Sequence, residues 1–233
     1  MLAELFFLVP GLLLLTFAAF ALRRSLRISR LVKAIPLMAI DHVSDLQPGF
    51  RLAAGTIQTP NPLKSPFHQR DCVYYAYRVE EPGPMAKRLA TGKNWTETRL
   101  RDATGDIPIE ARAALIRPPH ESITDLANLD GLPQHQREFL AEAGIEARHL
   151  PRFSSLRIVE YTLEPDDPAH VLGTVEQRSD GKVFYRGPHS PLAVSTTRDA
   201  GLLPGLRNEF LLFGASTLLF LTFGVLFLVA SFA

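Results

Sequence analysis

The chain has 233 residues, of which 46% are hydrophobic, and its formal net charge is +1. A charge so close to neutral gives no basis for electrostatic attraction to nucleic acid, so no nucleic-acid partner is expected. The single cysteine, Cys72, excludes both an internal disulfide and a zinc site built from cysteines.

The first element is an apolar stretch over residues 2–22, in which Glu4 is the only charged residue. A helix rises about 1.5 Å per residue, so this stretch is long enough to cross a hydrocarbon core of about 30 Å. A cleavable secretory signal is the alternative interpretation, but a signal carries its positive charge before the apolar residues, and here the basic residues follow them. We therefore predict a retained transmembrane helix over residues 1–23.

A basic segment comes next. Arg23, Arg27 and Arg30 recur at helical spacing, and Pro36 is expected to end the helix that carries them. Residues 24–48 are therefore interpreted as a basic juxtamembrane helix and linker. In one interpretation the three arginines bind anionic lipid headgroups; in the other they only set the topology of the chain.

Residues 49–200 are predicted to form one β-rich domain. The clearest strand covers residues 72–80, where alternate side chains point to opposite sides. A hairpin turn is expected at residues 102–106, and a second at residues 179–181. The other predicted strands are residues 50–57, 95–101, 107–111, 156–163, 170–176 and 182–186.

One helix is predicted inside this domain. Leu132, Phe139 and Leu140 share a face at helical spacing, Pro133 stands near the start, and Gly144 is placed to end the helix. Short strands with one or two helices indicate an α+β fold. We expect a β-rich domain, either a partly open barrel or a sandwich, between two transmembrane helices.

The second apolar stretch, residues 210–232, carries no charged residue and predicts a transmembrane helix over residues 208–232. Basic residues near the ends of a membrane span favour the cytoplasmic side. The arginines after the first span therefore place the middle domain in the cytoplasm and both termini outside it.

The sequence contains no recognisable catalytic or metal-binding motif, so no catalytic residue, metal or cofactor is predicted. Cys72 as a nucleophile would need a nearby base and electropositive surroundings, and its position in a strand favours a packed thiol. Glu160 lies among apolar residues and is expected to be partly buried. As a general acid it would need a second titrating group, and a cross-strand ion pair with an arginine is the simpler interpretation.

Several segments occur in a recognisable order: PLKSP at 62–66, CVYY at 72–75, DATGDIPI at 102–109, RIVEYTLEP at 157–165, HVLG at 170–173 and SPLAVS at 190–195. In this order they resemble the GIDE domain family, also called BAM for "beside a membrane". The resemblance covers nearly the whole chain and places both apolar stretches where that family has them.

The family includes mitochondrial RING-type E3 ubiquitin ligases, so the resemblance implies an E3 ubiquitin ligase-type transferase or a ligase component as one function. Those ligases carry a zinc-binding RING after the second span, and residue 233 follows the second span here without one. The ligase activity is therefore not expected. In the mitochondrial relatives the middle domain faces the intermembrane space, so a periplasmic domain is the alternative to the cytoplasmic one in a prokaryotic inner membrane.

These observations together predict a two-span membrane-anchored interaction or scaffold protein with no catalytic centre of its own. Its expected partners are membrane lipids and another membrane or membrane-proximal protein. The enzymatic alternatives are a ligase component that acts with a separate RING, or a hydrolase whose site is assembled from residues distant in sequence.

Overall fold

The computed structural model describes residues 2–83, 86–127, 131–145, 155–187 and 190–232. The chain divides into two compact units. One is helical and consists of Met1–Met38 and Arg198–Ala233; the other is β-rich and consists of Ala39–Thr197.

The described residues form three α-helices, two 3₁₀ turns and thirteen strands. The helices are α1 (Leu2–Ala34), α2 (Gln134–Glu142) and α3 (Arg198–Phe232), and the 3₁₀ turns are Ile35–Leu37 and Ala111–Ala113. The strands are β1 (Gly49–Gln58), β2 (Leu63–Lys64), β3 (Asp71–Cys72), β4 (Tyr74–Glu81), β5 (Lys87–Trp95), β6 (Thr98–Asp102), β7 (Gly105–Ile109), β8 (Leu115–Arg117), β9 (His120–Leu126), β10 (Leu156–Leu163), β11 (Pro168–Arg178), β12 (Gly181–Tyr185) and β13 (Ala193–Ser195).

In the helical unit, α1 and α3 pack side by side and antiparallel. The Phe17 and Phe220 ring centroids are 5.9 Å apart, and the Arg24 guanidinium lies 4.4 Å from the centroid of the Phe213 ring. A Cβ atom on Gly11 would lie 3.3 Å from the Gly224 carbonyl oxygen, so the two backbones approach closely where both residues are glycine. Both helices are long and apolar enough to cross a membrane, over Val9–Leu37 and Phe210–Ala230.

In the β-rich unit, five strands close into a barrel in the order β1-β6-β7-β12-β11, with β11 pairing back to β1. Neighbouring strands are antiparallel except β7 and β12, which are parallel. This is the Greek-key order of a small five-stranded barrel of the OB-fold type. The α+β prediction is confirmed, and the barrel is more closed than the partly open one we expected.

A second, four-stranded antiparallel sheet has the order β5-β4-β10-β9. Helix α2 covers one of its faces and ends as predicted at Gly144, which has φ +75°. There the Ile145 N–H donates to the Leu140 carbonyl at 2.8 Å and closes the helix end. The apolar cluster between helix and sheet consists of Phe67, Val79, Phe139, Leu140, Ile145, Leu156 and Ile158.

The strand predicted over residues 72–80 is two strands that break at Val73. The Val73 N–H donates to the Leu163 carbonyl at 2.8 Å, and the Val73 carbonyl accepts from the Thr96 N–H at 3.0 Å. These bonds divert the chain between β3, which pairs with β2, and β4, which pairs with β5 and β10. The strand predicted over residues 156–163 and the hairpin turn after Asp102 are confirmed.

Candidate functional site

Glu160 lies in the middle of β10 with a side chain that is only 1% exposed. Its Oε2 atom accepts hydrogen bonds from the Ser65 hydroxyl at 2.9 Å, the His68 backbone N–H at 3.3 Å and His68 Nδ1 at 2.7 Å. Its Oε1 atom accepts from the Phe67 N–H at 3.0 Å. A buried carboxylate is tolerated when such donors replace the water it has lost, and all four come from one loop.

The side-chain partner of Glu160 is a histidine, His68, so the prediction that Glu160 pairs with an arginine is wrong. Side chains alternate along β10, so Glu160 points to the same side as Ile158, under the loop, and Arg157 points to the opposite side. Arg157 pairs there with Asp125, 2.7 Å away. A second ionisable side chain, His68, therefore lies beside Glu160, which the sequence alone did not indicate.

The loop that carries these donors is held by its own backbone. The Ser65 N–H donates to the Arg70 carbonyl at 2.8 Å, and the Gln69 N–H donates to the Ser65 carbonyl at 3.0 Å. The Ser65 hydroxyl also accepts from the Arg70 N–H at 3.1 Å. Pro66 fixes its own φ and so restricts the backbone between the Ser65 and Phe67 donors.

The hydrogen-bond partners of His68 assign the tautomer of its neutral ring. A carboxylate only accepts hydrogen bonds, so the Nδ1 atom that faces Glu160 carries a hydrogen. In the neutral ring Nε2 is then an acceptor, and it lies 3.1 Å from the Thr124 hydroxyl on β9. The ring packs edge-on against Phe67, with centroids 5.1 Å apart, and its side chain is 23% exposed.

We name Glu160, His68 and Thr124 the buried-carboxylate cluster. Glu160 was a candidate from the sequence, whereas His68 and Thr124, which lie 92 and 36 residues away from it in the chain, were not. The signals that could have pointed to them are a single carboxylate in an otherwise apolar strand and a histidine next to Pro66-Phe67. Neither signal identifies the partner.

Cys72 is completely buried, and its thiol donates a long hydrogen bond to the Leu63 carbonyl at 3.6 Å. Burial, followed by the negative charges of Glu160, Glu164 and Asp71, raises the pKa of Cys72 to about 12. The thiol is therefore neutral at physiological pH, and a neutral, enclosed thiol is a poor nucleophile.

Two further histidines lie beside carboxylates. His120 Nε2 is 3.0 Å from Asp167, and His42 Nδ1 is 3.5 Å from Asp102. His149 and His189 lie outside the described residues. Within the part of the chain that the structure describes, no three His, Cys, Asp or Glu side chains are grouped to hold a metal ion.

Asp102 stabilises the turn between β6 and β7. Its carboxylate accepts from the Thr104 hydroxyl at 2.6 Å and from the backbone N–H groups of Thr104, Gly105 and Val43 at 2.7, 3.1 and 2.9 Å. Partial burial alone would raise the pKa of Asp102, but these hydrogen bonds outweigh it and lower the pKa to about 2.

A groove of about 560 Å³ lies on the side of the four-stranded sheet away from the buried-carboxylate cluster. Its walls combine aromatic rings, prolines, hydroxyls and one charge of each sign: Tyr74, Tyr161, Pro118, Pro119, Arg117, Glu121 and residues 195–197. Burial, and then the hydrogen bond and charge of Glu121, raise the pKa of Tyr161. Thr197, the residue before α3 in the chain, is among the residues that line the groove.

The three arginines proposed for lipid contact all lie on α1. The side chains of Arg23 and Arg30 are exposed, and that of Arg27 lies outside the described part of the structure.

No protein-family model, curated protein or solved structure matches this chain. Membership of the GIDE family therefore rests on the order of segments and stays a prediction.

Proposed function

We propose that this chain is a membrane-anchored interaction protein, whose two apolar helices span a bilayer and whose β-rich domain binds a membrane or membrane-proximal protein in the groove. The groove is the observation that carries this proposal. GIDE-family membership and a cytoplasmic domain, with a periplasmic domain as the alternative, are parts of the same proposal.

The walls of the groove have the chemistry of protein interfaces. Tyr74 and Tyr161 offer large rings of few rotamers with a polar tip, and Arg117 adds a cation; these residue types are enriched where proteins meet. Pro118 and Pro119 restrict the backbone between β8 and β9, so less conformational entropy is lost when a partner binds. Such a groove suits an extended segment of a partner with both apolar and polar side chains.

Site-specific photo-crosslinking in native membranes tests the proposal. A photoreactive amino acid replaces Ile116 in the groove, and the matched control carries it at Gln134, which is exposed on α2, on the opposite face of the four-stranded sheet. We expect one protein to be crosslinked through position 116 and not through position 134, and mass spectrometry to identify it. Equal crosslinking from both positions would contradict the proposal.

The side of the membrane is tested separately. Cys72 cannot serve as the label site because it is completely buried, so it is a silent background for an introduced cysteine. In the Lys93→Cys variant, a membrane-impermeant maleimide applied to intact cells should not react if the domain is cytoplasmic. Labelling of intact cells would place the domain outside.

Among the enzymatic alternatives, the hydrolase is favoured by a specific observation, the buried-carboxylate cluster. The absence of a catalytic centre stays a prediction, and this cluster is the place to test it. No observation favours the ligase component.

A further inference from the structure

We propose that Thr124, His68 and Glu160 form a nucleophile, base and positioning carboxylate that hydrolyse ester bonds through an acyl intermediate on Thr124. This activity goes beyond the proposed binding function and uses the opposite side of the four-stranded sheet. The proposal is based on two distances: His68 Nε2 lies 3.1 Å from the Thr124 hydroxyl, and His68 Nδ1 lies 2.7 Å from Glu160. Both fall in the range of about 2.6–3.2 Å that nucleophile–base–carboxylate sites use.

The contact with Glu160 selects the His68 tautomer that a general base requires. Because Glu160 accepts from Nδ1, the lone pair of the neutral ring is on Nε2 and points to the Thr124 hydroxyl. Glu160 is itself held in position, since the Ser65 hydroxyl and two backbone N–H groups also donate to it. A proton taken up at Nε2 would place an imidazolium against a buried carboxylate, which stabilises that charge.

A purely structural role for the His68 ring would explain fewer of its contacts than a catalytic role does. The Ser65 hydroxyl and the N–H groups of Phe67 and His68 already attach the loop to Glu160 without any ring. The imidazole adds a bond to Glu160 on one side and aligns with a hydroxyl on the other. The His68 side chain is 23% exposed and Thr124 is partly exposed, so small molecules can reach both.

The reaction balances with water as the only co-reactant. The Thr124 oxygen attacks the ester carbonyl and its proton passes to His68 Nε2; the ester C–O bond then breaks and Nε2 returns the proton to the departing alcohol. Water attacks the acyl-threonine, gives its proton to Nε2, and Nε2 returns it to Thr124 as the acid leaves. Esters fit better than amides because an alkoxide departs more readily than an amine anion and the nucleophile is a hindered secondary hydroxyl.

The test uses the full chain in detergent with two probes, p-nitrophenyl butyrate and a fluorophosphonate. We expect steady release of p-nitrophenol, and fluorophosphonate attached to Thr124 when labelled peptides are analysed by mass spectrometry. Thr124→Val keeps the shape and removes the hydroxyl, so it should lower hydrolysis by about 100-fold or more and abolish the label. Thr124→Ser should retain both.

The matched control is Ser122→Ala, which removes a hydroxyl two residues away on β9, in the position paired with Glu160. It should hydrolyse the ester like the unchanged chain. For the positioning role of Glu160, Glu160→Gln should lower the fraction of the His68 ring with hydrogen on Nδ1, measured by ¹⁵N NMR. Each variant is first shown to unfold as one cooperative transition.

The proposal is overturned if the unchanged chain neither hydrolyses the ester nor takes the label, if the label is on another residue, or if folded Thr124→Val is as active as the unchanged chain. None of these results depends on crosslinking at position 116, so this inference and the proposed function can fail independently.

Discussion

The charged side chains on the two faces of strand β10 differ in their exposure to water. On the face under the loop, Glu160 is 1% exposed and its carboxylate is held by four hydrogen-bond donors. On the other face, Arg157 and Asp125 form an ion pair whose side chains are 42% and 56% exposed. Removing a partner from water-free surroundings leaves groups that nothing else can satisfy, while water replaces a lost partner at the surface.

The largest effect is expected on the buried side. Glu160→Ala leaves the Ser65 hydroxyl, two backbone N–H groups and the His68 ring without their acceptor, and should lower the free energy of unfolding by about 3–5 kcal/mol. Trp95 is the only tryptophan and packs against the barrel core, so its fluorescence during urea unfolding reports on this domain. A loss below about 1 kcal/mol would show that water replaces these bonds and would remove the contrast between the faces.

An intermediate effect is expected at Asp102, a carboxylate held by backbone N–H groups in a turn. Asp102→Ala should cost about 1–2 kcal/mol, because the Thr104, Gly105 and Val43 donors lose a shared acceptor. Urea unfolding at pH 7 measures it.

The same residue gives a pH dependence of defined sign. The pKa of Asp102 falls from 3.8 to about 2 on folding, so its contribution is complete above pH 3.8 and is lost as the pH falls toward about 2. The difference in unfolding free energy between the unchanged chain and Asp102→Ala should therefore shrink between pH 4 and pH 2. A difference that stays constant over this range would contradict the assignment.

The smallest effect is expected on the exposed side. The hydrogen bond from Arg157, followed by its charge, lowers the pKa of Asp125, yet both groups are in contact with water. Asp125→Asn should leave the unfolding free energy almost unchanged, and any small change should vanish in high salt. A double-mutant cycle with Arg157→Gln measures the coupling between the two side chains, and a coupling as large as the effect of Glu160→Ala would show that the two faces do not differ.

Local sequence patterns predicted the local features well. The bounds of β10, the hairpin between β6 and β7, and helix α2 with its end at Gly144 follow from alternation, turn residues and helical spacing. Strands β5, β8 and β9 were not predicted: β8 has only three residues and is followed by Pro118 and Pro119, and neither β5 nor β9 has an alternating apolar pattern.

Features that join distant parts of the chain were not predictable in this way. Closure of the barrel depends on β11 pairing with β1, for example Val171 with Ala53, more than a hundred residues apart. The meeting of His68 with Glu160 and Thr124 depends on the register of β10 against β9 and on the fold of the Ser65 loop. No single segment encodes either arrangement, so the arginine partner predicted for Glu160 was wrong.

Whether the buried Glu160 carboxylate fixes the His68 ring against Thr124 is measured by ¹⁵N NMR of that ring in the unchanged chain. We expect the neutral form of the ring to carry its hydrogen on Nδ1 and to leave Nε2 bare, with a smaller fraction of this tautomer in Glu160→Gln. A neutral ring with its hydrogen on Nε2, or one that exchanges freely between the two tautomers, would show that Glu160 does not fix it.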